Sequence, residues 1–95
     1  MKCTISNTIS TRKIGDDLFI FDRHLSKIHN LNKVGAYIWE LLKQGSGKKE
    51  IIDNIIRRFE VDAKTAQQDF EEYLLKLQKK QLITIKNAQT DEARE

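Results

Sequence analysis

The stretch Leu31 to Leu42, L-N-K-V-G-A-Y-I-W-E-L-L, concentrates the apolar and aromatic side chains of the chain, including its single tryptophan. It reads as a buried helix that other elements must pack around. Asn32 is a good N-cap, because its side-chain oxygen can accept a hydrogen bond from one of the free N–H groups of the first turn. Val34, Tyr37, Ile38 and Leu41 fall at i, i+3, i+4 and i+7 on one face. Gly35, Ile38 and Leu42 make a second face, leaving Lys33, Glu40 and Lys43 for water. Burial on two faces requires partners on two sides. Gly35 costs the helix about 1 kcal/mol relative to alanine, which points to another backbone passing close to it. Trp39 reads as core filler.

The remaining 83 residues of the 95 must supply those partners within one domain. No apolar run approaches membrane length, the longest being the strand-sized Leu18-Phe19-Ile20-Phe21, and residues 1–7 lack a signal-peptide core. A cytosolic protein is expected. The lone Cys3 has no partner for an internal disulfide, lies at what reads as a frayed end, and is poor evidence for a nucleophile or metal site. The formal charge of +3 is spread through the chain and does not demand a nucleic acid.

Before the central helix the pattern changes to that of strands. Thr8–Ile14 is β-permissive, Gly15-Asp16 suits a type II′ turn, and Asp17–Asp22 follows as the second arm of a hairpin. A turn at 23–26 and a brief third strand, Lys27-Ile28-His29-Asn30, lead into the helix. Either Leu18 and Ile20 or Phe19 and Phe21 must face it; alternation alone does not choose.

After Leu42, Gly45 and Gly47 break the helix, one of them well placed as a left-handed cap. With Ser46 or Gly47 as cap, Ile51, Ile52, Ile55, Ile56 and Phe59 form the apolar face of a second helix. Asp62 is the expected N-cap of a third, whose core side carries Ala63, Ala66, Phe70, Tyr73, Leu74 and Leu77. Leu82–Ile85 closes the domain as an extended segment. The expected fold is α+β, a three-stranded antiparallel β-meander followed by a three-helix, winged-helix-like unit. It spans 1–85, with 86–95 a polar, disordered tail.

The order and spacing of Lys27-Ile28-His29-Asn30-Leu31-Asn32, Gly35, Ile38-Trp39, Glu50-Ile51-Ile52, Phe59-Glu60-Val61-Asp62, Leu77 and Leu82-Ile83 resemble the PqqD-like family. These are peptide-recognition elements of pathways that modify ribosomally made peptides. Ser26 stands where the family usually has a turn glycine, and Gly47 where it often has a threonine cap. The resemblance implies a non-catalytic protein without cofactors. It would bind the leader segment of a precursor peptide as an added strand beside the third strand, in the groove with the third helix, and deliver it to a modifying enzyme. A free-standing domain of this length resembles the separate recognition proteins of lasso-peptide clusters, whose partners include a leader-cleaving cysteine protease and a cyclase.

Elementary geometry agrees with that role. The third strand is a sheet edge with free backbone groups and no proline, so a peptide can pair there without unfolding anything. The candidate binding residues are Leu25, Ser26, Lys27, Ile28, His29 and Asn30 on the turn and strand, with Ala66, Asp69, Phe70, Tyr73 and Lys76 on one flank of the third helix. The other flank, Gln67, Glu71, Leu75 and Gln78, is the alternative if the helix is rotated. His24 and His29 are not at a metal-ligand spacing, and no nucleophile has a recognisable base beside it. The rival reading is a winged-helix DNA-binding protein using Arg57, Arg58, Lys76, Lys79 and Lys80 on phosphates. Against it, the first half of the third helix carries Asp62, Asp69, Glu71 and Glu72 with only Lys64 opposing them.

Overall fold

The computed structural model describes residues 2–86. In chain order the elements are β1 (Lys2–Ile5), β2 (Ile9–Ile14), β3 (Asp17–Asp22), β4 (Lys27–Leu31), α1 (Lys33–Lys43), α2 (Lys48–Phe59), α3 (Ala63–Lys79) and β5 (Ile83–Lys86). Strands β2, β3 and β4 form the expected antiparallel meander with β4 at one edge. Three helices follow it, as the apolar periodicities require.

Helix α1 begins one residue after Asn32, whose side-chain oxygen accepts the Gly35 N–H at 3.0 Å. It ends in a Schellman-type cap. Gly45, at φ +85°, donates to the Leu42 carbonyl, and Ser46 donates to that of Leu41. Ala36, Ile38, Trp39, Leu41 and Leu42 are buried, while Lys33, Glu40 and Lys43 face water. Of the two apolar pairs on β3, Leu18 and Ile20 enter the core, and Phe21 points to the solvent side. Helix α2 adds Ile51 and Ile55, and α3 adds Ala66, Phe70 and Leu77.

Three expectations are corrected. The N-terminus is not a frayed end: Lys2–Ile5 forms β1, antiparallel to β5, with Cys3 opposite Ile85 and Ile5 opposite Ile83. Its partner lies some eighty residues away in sequence, so no local signal announces it. Lys86, the first residue assigned to the tail, is the last of β5, paired with Lys2; residues 87–95 lie outside the described residues. Gly35, for its part, is approached by a ring rather than a backbone. A Cβ placed there would sit 2.8 Å from Cζ of Tyr73 on α3.

The turn between β3 and β4 is shaped by Asp22. Its buried carboxylate accepts the His24 and Leu25 N–H groups at 3.0 and 3.2 Å, and Ser26 completes the turn at φ +55°. Left-handed backbone of this kind favours glycine, which gives a physical reason for the glycine that the resemblance led one to expect there. At Gly47, the N-cap of α2, no side chain is present to satisfy a first-turn N–H.

Candidate functional site

The phase of the sheet's hydrogen bonds decides which backbone groups of β4 are free. Gly15 at φ +62° and Asp16 form a two-residue loop, so Ile14 and Asp17 are the mutually bonded pair that closes the hairpin. The alternation continues through Arg12/Phe19 and Ser10/Phe21 to the Arg23 N–H, which donates to the Thr8 carbonyl at 3.0 Å. Leu18, Ile20 and Asp22 therefore direct their backbone groups to Leu31, His29 and Lys27 on β4. The N–H and C=O of Ile28 and Asn30 point away from the sheet, along its open edge.

Helix α3 flanks that edge. At one end Tyr73 donates its O–H to the Asn32 side-chain oxygen at 2.5 Å and lays its half-buried ring over Gly35. Lys76 Nζ lies 5.3 Å from the centre of the same ring. At the other end Lys80, just past the helix, stands close enough to His29 to act on its charge. A shallow cleft lined by Glu72, Leu75, Lys76, Lys79 and Lys80 runs along the outer side of α3. Leu75 is 56% exposed within it.

These contacts fix the rotation of α3. Asp69, Tyr73, Lys76 and Lys80 lie on the flank toward β4. On the opposite flank Glu71 pairs with Lys48 of α2 at 3.6 Å, and Gln78 lines a depression against Thr4–Asn7, Gln81, Ile83 and Thr84. Two of the candidate residues are corrected. Ala66 and Phe70 are fully buried at the centre of the core stripe, so a peptide cannot touch them without repacking the domain. Lys27, Ile28, Asn30, Leu25, Ser26 and Lys76 are exposed, and His29, Asp69 and Tyr73 are half-buried. Lys80 was not among the expected lining on this flank, and Lys79 and the exposed face of Leu75 adjoin it in the outer cleft. A stronger signal was available: the Ala66, Phe70 and Leu77 stripe marks the core meridian, which places residues 76 and 80 to one side of it.

The electrostatics of the groove follow from these positions. Burial, then the charges of Lys80 and Lys27, hold the His29 imidazole below its ordinary value against the opposing pull of Asp22. Its Nε2 is buried without a hydrogen-bond partner among the described residues. Burial, with the charge of Asp69, pushes the Tyr73 hydroxyl up, so it stays a neutral donor. Burial likewise pushes the Cys3 thiol up, away from the thiolate a nucleophile needs. Among the described residues no three His, Cys, Asp or Glu side chains gather as a metal site would require, and no helix is long and apolar enough to cross a membrane.

Solved structures share this fold. One solved structure, described as TbiB1 in complex with the TbiA(beta) leader peptide, is 29% identical to the chain, covers 87% of it and 96% of its own length, and superposes with a TM-score of 0.80. A second, lasso peptide synthetase B1 complexed with the leader peptide, superposes at 0.82 over 90% of this chain and 100% of its own; at 16% identity it speaks for the fold. No curated protein matches the chain significantly. The profile of the family described as coenzyme PQQ synthesis protein D (PqqD) matches residues 17–83, from the first residue of β3 to the first of β5. The chain belongs to the PqqD family.

Proposed function

We propose that this protein binds the leader segment of a ribosomally synthesised precursor peptide as a fourth strand beside β4, in the groove with α3, and presents it to a maturation enzyme. The observation that carries this reading is the open edge of β4, where Ile28 and Asn30 turn their N–H and C=O groups outward beside a helix flank lined by Asp69, Tyr73 and Lys76. Main-chain pairing supplies affinity, and side chains of the groove supply choice. The likeness to TbiB1, whose solved complex contains a leader peptide, supports it. The protein works as one recognition domain without catalysis, in the cytoplasm, and its enzyme partner is a leader protease, a cyclase or another maturase. DNA binding is not favoured. The first half of α3, which would have to enter the major groove, opens with Asp62 and exposes Glu71 and Glu72, which would repel phosphates.

Proline at position 28 tests the reading. The Ile28 N–H serves no bond within the sheet, so Ile28→Pro should leave the far-UV circular dichroism near that of the native chain and abolish binding of the leader peptide encoded beside this protein. Undiminished affinity in a folded Ile28→Pro variant would exclude pairing at this edge.

A further inference from the structure

The groove is not electrically neutral. Lys76, Lys79 and Lys80 gather along one cleft of α3, and Lys27 opens β4 near the same end, where both Lys80 and Lys27 act on His29. Among the described residues none of these four lysines forms an ion pair; the two ion pairs present, Lys48 with Glu71 and Lys49 with Asp53, are on α2 and the far flank of α3. The nearby acids do not offset them. Asp22 is buried and engaged with the turn N–H groups, Asp69 lies about two helical turns before Lys76, beyond Tyr73, and Glu72 alone shares the cleft. Leu75 adds an exposed apolar floor between Glu72 and Lys79.

We propose that the groove selects a leader segment bearing an acidic side chain, Asp or Glu, turned toward α3, held by Lys76, Lys79 and Lys80 with Lys27 at the mouth, next to an apolar side chain that covers Leu75. This rests on the strand-addition reading above and names what the added strand must carry. A strand presents every second side chain to the same face, about 6.6 Å apart, so the acid and the apolar residue occupy neighbouring positions of one alternating set. The lysine cluster is an ammonium surface along a shallow cleft, where several cations act together on one carboxylate. It also makes a mostly main-chain interaction directional, since the basic end of the groove is the Lys27 end of β4 and the Asp69 end is not.

The test selects random displayed peptides of strand length on the full chain, and in parallel on its Lys76→Glu/Lys80→Glu variant, whose changes are on exposed or half-exposed positions. The native chain should enrich Asp or Glu at a fixed spacing from an apolar residue, and the variant should lose that preference or invert it to Lys or Arg. The best peptide, resynthesised with its acid replaced by the matching amide, should bind roughly tenfold more weakly at low salt, with the gap closing at high salt. Selected peptides that shift the Ile28 and Asn30 amides yet tolerate the amide replacement would overturn the acidic preference and leave strand addition standing. If no selected peptide perturbs those amides, strand addition itself fails, and the acidic preference with it.

Discussion

The side-chain oxygen of Asn32 accepts two hydrogen bonds at once, from the Gly35 N–H at 3.0 Å and from the Tyr73 O–H at 2.5 Å. One residue thus starts α1, ends the β4 connection and pins α3 beside both. The Tyr73 ring occupies the space a Cβ at position 35 would need. The glycine is there for the ring, and the ring forms the wall of the groove.

Replacing Gly35 by alanine therefore sets two effects against each other. Helix propensity gains about 1 kcal/mol, while forcing a pinned ring aside costs about 1–3 kcal/mol. In the native chain Gly35→Ala should lower stability by roughly 1 kcal/mol. In a Tyr73→Ala background the same change should raise it, by up to about 1 kcal/mol. Urea midpoints of the four proteins give the comparison; a change of the same sign in both backgrounds would mean that Tyr73 does not hold position 35.

Ser26 supports a second prediction, because it holds left-handed backbone at φ +55° without glycine's freedom. An L-residue there costs roughly 1–2 kcal/mol, partly offset by the extra unfolded-state entropy of glycine, so Ser26→Gly should stabilise by about 0.5–1 kcal/mol. Thermal unfolding is the measurement. A lowered midpoint would show that the serine side chain contributes more than its backbone strain costs.

The pH dependence of stability turns on His29. Its ordinary value is 6.5, and burial with the neighbouring lysines lowers it in the folded protein. As pH falls the unfolded chain takes up this proton first. The contribution is complete above pH 6.5 and is lost as pH falls from there through the folded value. Chemical denaturation near neutrality and again one to two pH units lower should show the native chain losing more stability than His29→Gln. Parallel losses in the two proteins would remove His29 as the cause.

Much of this was legible in the sequence, and the misses have physical causes. Asn32 and Asp62 announced their caps because each carries local capping chemistry, and the Gly45 and Gly47 pair announced a left-handed cap without saying which of the two supplies it. The α1 stripe and the β2–β3 turn were equally local. The pairing of Lys2–Ile5 with Ile83–Lys86 depends on closure of nearly the whole chain, which no window of sequence contains. An interior glycine signals a close approach, but not whether a backbone or the Tyr73 ring makes it. Ala66 and Phe70 were placed in the groove because a flank and a core stripe differ by only about one residue's rotation, 100° on a helix. The contact of Tyr73 with Asn32, across 41 residues, is what fixes that angle.

The most direct test of strand addition is amide hydrogen exchange of Ile28, His29 and Asn30, with and without the leader peptide. The His29 N–H faces Ile20 within the sheet and should be protected in both states, whereas those of Ile28 and Asn30 face the open edge and should become protected only in the complex. Binding that protects other amides while Ile28 and Asn30 exchange as fast as before would contradict it.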